Sequence, residues 1–192
     1  MIEIILRNLA TTYYPQGICA INNYKSYIVS FEFKNLIEKV NTTFAIIIEK
    51  NLDELILDEL KRYQTLVDIE DITLESSDRC LSFKKNFFEE ETLYQLHLNI
   101  SIIAPYYYVY VTKNNVQLKP YKWLNLPERS KEAEIRFNNE ITYISDIIEQ
   151  KFLFNKFPDD LVNTVIPNIN YADAELGSFT YFNAFFLNDV TL

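Results

Sequence analysis

A chain of 192 residues with 27 Asp and Glu against 18 Lys and Arg carries a formal net charge of −9, so its field repels phosphate backbones and anionic lipid and argues against nucleic acid as a direct partner. Only two glycines, Gly17 and Gly177, and one histidine, His97, are present, which excludes the glycine-rich phosphate cradles of P-loop and Rossmann proteins and leaves a histidine-based triad a single residue to draw on. The two cysteines, Cys19 and Cys80, are too few for a disulfide scaffold at this length and fit a reduced compartment.

In chain order, residues 1–7 have the β-branched apolar pattern of a first strand, and Tyr13, Tyr14, Pro15 and Gly17 read as a turn or ordered loop. Ser30 is placed to cap a helix with Glu32 in its first turn, where a carboxylate suits the dipole. Phe33, Ile37, Val40, Phe44, Ile47 and Ile48 then recur at spacings of three and four, which carries that helix to about Lys50. Asn51, followed three places on by Glu54, starts a second helix with Leu52, Leu55, Ile56, Leu60 and Tyr63 at helical spacing, and the two are expected to pack as a pair.

Beyond Tyr63 the period shortens. Ile69–Leu74, Arg79–Phe87, Leu93–Ile103 and Tyr106–Thr112 are rich in β-branched and aromatic residues and predict an antiparallel meander. The uncharged stretch Thr92–Thr112 is as long as a bilayer span, but Gln95, His97, Asn99 and Ser101 alternate with Leu96, Leu98, Ile100 and Ile102, and Pro105 interrupts it. That is the period of a strand with one buried face, so a sheet is expected and a membrane segment is not. Asn114 and Asn115 suit a tight turn leading to a short strand at Val116–Leu118. The aromatic stretch with Tyr121 and Trp123, between Pro120 and Pro127, has no assignment.

A third helix is predicted from a cap at Asn138 or Asn139, with Ile141, Ile144, Ile148 and Phe152 as its stripe. Pro158, at an N1-like position before Asp159 and Asp160, predicts a short helical turn ended by Pro167. The run Phe179–Phe186 is apolar on both alternations, as in a strand covered on two sides or an interface strand. Without repeats, linkers or low-complexity tracts, the expectation is a single α+β domain over 1–192. Its central antiparallel sheet would have about five or six strands, packed by the N-terminal helix pair and the later helix. Met1–Arg7 lacks the basic end and apolar length of a signal peptide, and a cytoplasmic location is expected.

The chemistry-bearing residues are sparse. His97 lies mid-strand and reads as a histidine on the polar side of a sheet. Cys19, Cys80 and His97 stand 61 and 17 residues apart and offer no local zinc-ligand pair, so no cofactor or metal is expected. Three carboxylate groups stand out: Asp68, Glu70 and Asp71; Glu75 with Asp78; and Glu89, Glu90 and Glu91, which read as a solvated turn. The first puts Asp68 and Glu70 on one strand face and Asp71 on the other, which fits an edge strand or a divalent-ion ligand pair in a carboxylate-dependent hydrolase. Tyr106, Tyr108 and Tyr110 fall on one side of their strand, either as core with hydroxyls reaching the edge or as the broad, polar-tipped contacts that enrich interfaces. Glu70, Asp71, Tyr106, Tyr108 and Tyr110 are therefore the candidate partner-binding residues. The acidic charge favours a basic protein as that partner. A role as subunit of a larger assembly, through Phe179–Phe186, is a further alternative.

Four segments distributed along the chain, Tyr13-Tyr14-Pro15, Ser30-Phe31-Glu32, Ile103-Ala104-Pro105-Tyr106-Tyr107 and Phe179-Thr180-Tyr181-Phe182-Asn183, resemble short acidic bacterial proteins that accompany polymorphic toxins as immunity proteins. The resemblance implies a cytoplasmic protein that binds a cognate toxin without catalysis, and it supplies no catalytic residues.

Overall fold

The computed structural model describes residues 1–76, 79–118, 121–123, 127–171 and 176–187. Asp78 of the Glu75–Asp78 pair and Pro120 lie outside these residues. The chain is α+β with a central, largely antiparallel sheet, and among the described residues no helix is long and apolar enough to cross a membrane.

The N-terminal part is helical apart from the loop over residues 14–23. Instead of the strand expected over residues 1–7, α1 spans Ile2–Tyr13 and buries Leu6 and Ala10, four residues apart, while Ile4 and Ile5 face outward. The β-branched isoleucines carry only a weak strand preference, and packing of the i, i+4 stripe overrides it. A short α2 (Tyr24–Val29) follows. The helix α3 (Phe31–Lys50) starts at Ser30, whose Oγ accepts a 3.2 Å hydrogen bond from the Phe33 N–H. Its core-facing stripe is Phe33, Leu36, Val40, Phe44 and Ile47; Ile37 and Ile48 fall outside it and are exposed. Asn51, in the left-handed region at φ 49°, ends α3 and opens α4 (Leu52–Leu60) without a side-chain cap bond. In α4, Ile56 and Leu60 face the core.

Of the strand expected over Ile69–Leu74, only β1 (Glu70–Asp71) forms, followed by α5 (Thr73–Ser76). The Asp71 carboxylate accepts from the Thr73 N–H at 2.8 Å and turns the chain out of the strand. The meander comprises β2 (Cys80–Glu89), β3 (Thr92–Ser101) and β4 (Tyr106–Leu118), in the order β1-β2-β3-β4. Glu90 takes φ 50° in the hairpin between β2 and β3, so Glu90 and Glu91 form the turn expected of the acidic triplet, while Glu89 ends β2 paired with Thr92. Asn114 and Asn115 make no turn: they pair with Leu93 and Thr92 in an unbroken β4, with Asn114 buried. β5 (Tyr121–Trp123) pairs antiparallel with Val116–Leu118 of β4.

Two short strands complete the sheet, β6 (Glu128–Arg129), antiparallel to Thr112–Lys113, and β7 (Asn155–Lys156), parallel to Tyr106–Tyr107. Between them lie α6 (Lys131–Arg136), capped by Ser130 Oγ, and α7 (Asn138–Gln150), whose N-cap is Phe137 rather than an asparagine and which buries Ile144 and Ile148. Residues 158–164 form two successive turns, closed by Leu161 N–H to Pro158 O (3.1 Å) and Thr164 N–H to Leu161 O (3.0 Å).

The run Phe179–Phe186 is not a strand. Thr180 makes an isolated bridge to Val165, and then α8 (Tyr181–Phe185) begins at a reciprocal capping box between Thr180 and Asn183. It is apolar on both alternations because a short helix wedged into the interior is covered all round; every residue of α8 is buried.

Register sorts the sheet into two unlike faces. Leu81, Phe83, Leu96, Leu98, Ile100, Tyr107, Val109 and Val111 share one face, toward which α7 turns, with Tyr107 donating its hydroxyl to Glu149 Oε1 at 2.7 Å. The other face carries Cys80, Ser82, His97, Asn99, Tyr108, Tyr110 and Thr112. Phe182 and Phe186 pack over Tyr108 on that side. The polar alternation of β3 therefore does not mark a solvent face; Phe182 and Phe186 cover it where Tyr108 and Tyr110 lie.

Candidate partner-binding surface

The structure separates the five candidate residues. Tyr108 and Tyr110 are buried, at 0% and 2% exposure, and Tyr106 is half-buried with its ring edge-on to Phe157 at 5.7 Å. Tyr110 stacks on His97 at 4.8 Å and meets Phe182 edge-on at 6.0 Å. Tyr108 donates its hydroxyl to Asp159 Oδ1 at 2.8 Å beneath the Arg129 guanidinium, whose carbon stands 5.2 Å from the ring. Burial, the largest cause, raises both phenols above their ordinary range. In this conformation the faces of Tyr108 and Tyr110 are taken up by intramolecular packing.

Asp159 also meets Arg129 (3.3 Å) and Lys156 (3.4 Å), and Arg129 Nε donates to Glu134 Oε1 at 2.6 Å. Burial opposes ionisation of Asp159, but the Tyr108 hydroxyl and the cations outweigh it and hold the carboxyl below its usual range. These bonds tie β4, β6, α6 and the 158–164 turns together, so the tyrosine row anchors the fold.

Deeper in the same face, Ser82 Oγ donates to Asn99 Oδ1 at 2.9 Å and stands 3.3 Å from Cys80 Sγ. His97 Nε2 faces Thr112 Oγ1 at 3.1 Å. Burial, reinforced by Lys84, lowers the imidazole to about 4, so it is neutral near pH 7. Among the described residues no three His, Cys, Asp or Glu side chains converge as a metal site.

Two of the four segments quoted for the resemblance, those of Tyr14 and of Phe179–Asn183, meet in the fold, which sequence spacing could not show. Tyr14 donates its hydroxyl to Ala184 O at 2.6 Å and packs edge-on against Phe179 (5.2 Å) and Tyr171 (5.7 Å). Tyr27 donates to Asn170 O at 2.6 Å and its ring meets Phe33. Arg79, fully buried, donates to Asn183 O at 2.8 Å and lies over the Tyr171 ring at 4.4 Å. Tyr14, Phe179 and Asn183 thus act in one hub that joins the two ends of the chain.

Glu70 and Asp71 are the two candidates left at the surface. Both are exposed on β1, the edge strand, where Glu70 stands opposite Lys84. Asp68 lies outside the strand and bonds the buried Lys85 ammonium, which lowers its carboxyl; it therefore does not pair with Glu70 as expected of strand neighbours. The adjoining α4 carries exposed Glu54 and Asp58, one turn apart. Composition sharpens the picture: residues 53–75 hold eight carboxylates against Lys61 and Arg62, which is −6 of the chain's −9. Leu55 (52%), Val67 (62%) and Leu74 (100%) are exposed in the same stretch. Acidic side chains and large exposed apolar ones are thus interspersed along this stretch.

A second exposed apolar area was not singled out by sequence reasoning. Two adjoining hollows of about 480 and 530 Å³ share Ile28 and Phe33 between α2 and α3, with Ile21, Tyr24 and Ile37 beside them. Ile37 points into a hollow because it sits one position off the core stripe. Lys34 and Glu38 line the same hollow with opposite charges, so it has no preference of sign.

Compared with known families, curated proteins and solved structures, the chain matches no family model, no curated protein and no solved structure.

Proposed function

We propose that this chain is a non-enzymatic binding protein of the immunity type, which neutralises a basic toxin partner in the cytoplasm by holding it against the acidic surface formed by α4 and β1. The observation that carries the reading is the group of exposed carboxylates Glu54, Asp58, Glu70 and Asp71 on α4 and β1, in a stretch of sequence (residues 53–75) that holds −6 of the −9 net charge and also exposes Leu55, Val67 and Leu74. Such a field raises the encounter rate with a cationic protein and weakens within a Debye length of about 8 Å at physiological salt. The apolar residues supply the contact that salt does not remove.

The test is association of the purified chain with the product of the gene adjacent to its own, across a salt series. Binding should weaken as salt rises, chiefly through a slower on-rate. Charge reversal by Glu54→Lys, Asp58→Lys and Glu70→Lys together should weaken it by at least roughly tenfold at low salt. An association indifferent to both salt and charge reversal, or none at all, refutes the proposal.

A further inference from the structure

We infer that the basic partner adds an extended strand to the open edge of β2, pairing with the backbone of Asn86 and Phe88. The inference rests on the proposed function and specifies how that site recognises its partner.

The geometry follows from the ladder. Ile72 N–H donates to Ser82 O at 2.8 Å, so Ser82, and by the two-residue alternation Lys84, Asn86 and Phe88, direct their backbone groups away from β3. β1 pairs only with Phe83 and Lys84. Beyond Lys84, β2 runs on to Glu89, and among the described residues no strand lies alongside it. The N–H and C=O groups of Asn86 and Phe88 thus face outward, and the Phe88 side chain is 58% exposed. An unpaired edge of this kind is a ready template for another strand.

Charge selects the occupant. The open stretch is bounded at one end by Glu89, Glu90 and Glu91, and at the other by Asp68, Glu70 and Asp71. The neighbouring cations are Lys84, Lys85, bonded to Asp68, and Arg136, bonded to Glu89. Carboxylates therefore outnumber cations along the edge by two to one. A second copy would bring the same acidic ends against each other, whereas a strand bearing lysine or arginine meets opposite charge at both.

The probe is a short peptide alternating lysine and valine, added to the full chain while backbone amide exchange is followed by NMR. Protection of the Asn86 and Phe88 amides should rise by roughly tenfold or more and fall away with salt, and the matching glutamate–valine peptide should give none. Phe88→Pro deletes an outward N–H without breaking a bond to β3, so it should fold and abolish protection at Asn86; Phe88→Ala should retain it. Peptide binding without protection at either amide overturns strand addition and leaves the basic-partner reading standing. Equal protection by both peptides, or protection that grows with the chain's own concentration, overturns the charge-selected occupant. Failure of the chain to bind either the peptide or the adjacent gene product overturns both inferences.

Discussion

Tyr14→Phe deletes a buried hydroxyl from the hub that joins the ends of the chain. The ring of Tyr14 is fully buried and its edge contacts with Phe179 and Tyr171 survive the change, so the apolar area removed from water is nearly constant. What is lost is the 2.6 Å bond to Ala184 O, leaving a carbonyl at the C-terminal turn of α8 in surroundings that exclude water. An unmet buried acceptor costs about 1–3 kcal/mol. For a domain of this size each kcal/mol moves the melting temperature by about 2–4 °C, so Tm should fall by roughly 2–12 °C. In urea the midpoint should drop with the slope unchanged, because the surface exposed on unfolding is the same. Tyr24→Phe, at a ring 64% exposed, serves as the neutral control. If Tyr14→Phe unfolds at the parental midpoint, the hub does not bear on stability as argued.

Phe182→Ala removes a ring that meets Tyr108, Tyr110 and Phe186 and should cost about 3–5 kcal/mol by chemical denaturation. His97 carries a pH prediction: its folded pKa of about 4 lies below the 6.5 of an ordinary imidazole, so between these values the unfolded chain binds more protons and stability rises with pH. The loss on acidification from 6.5 to 4 is on the order of 2–3 kcal/mol. NMR titration of the imidazole should give a midpoint near 4, and His97→Gln should flatten that part of the stability profile; a midpoint near 6.5 would contradict the burial argument.

The meander was legible because its signals are local and strong. Leu96, Leu98 and Ile100 alternate with Gln95, His97 and Asn99, and Ser30 and the Ile144–Ile148 stripe mark helices by cap and spacing. What misled was local chemistry overruled at a distance. Ile2, Ile4 and Ile5 look like a strand until Leu6 and Ala10 find a core to face. Phe179–Phe186 looks like one until Thr180 and Asn183 cap each other, a signal present in the sequence as Thr-x-x-Asn. Ser130, three residues before Ala133, likewise announced α6.

The candidate surface was half legible. The exposure of Glu70 and Asp71 was legible because charged residues seldom lie buried. Tyr108 and Tyr110 could not be sorted into inside or outside, since the cover they lie under comes from Phe182 and Phe186, more than seventy positions away. Polar residues on β3 suggested solvent for the same reason.

The contact between Tyr14 and Ala184 spans 170 positions, which has a bearing on synthesis. While the chain emerges from the ribosome, the helices and the meander can assemble from neighbouring segments, but the side of the sheet bearing Tyr108 and Tyr110 stays bare until Phe182 and Phe186 have been translated. Closure over so long a stretch is slow compared with local folding. The nascent protein therefore passes through a stage with exposed aromatic rings and an unlatched end, when it would be most dependent on chaperones and most open to proteases.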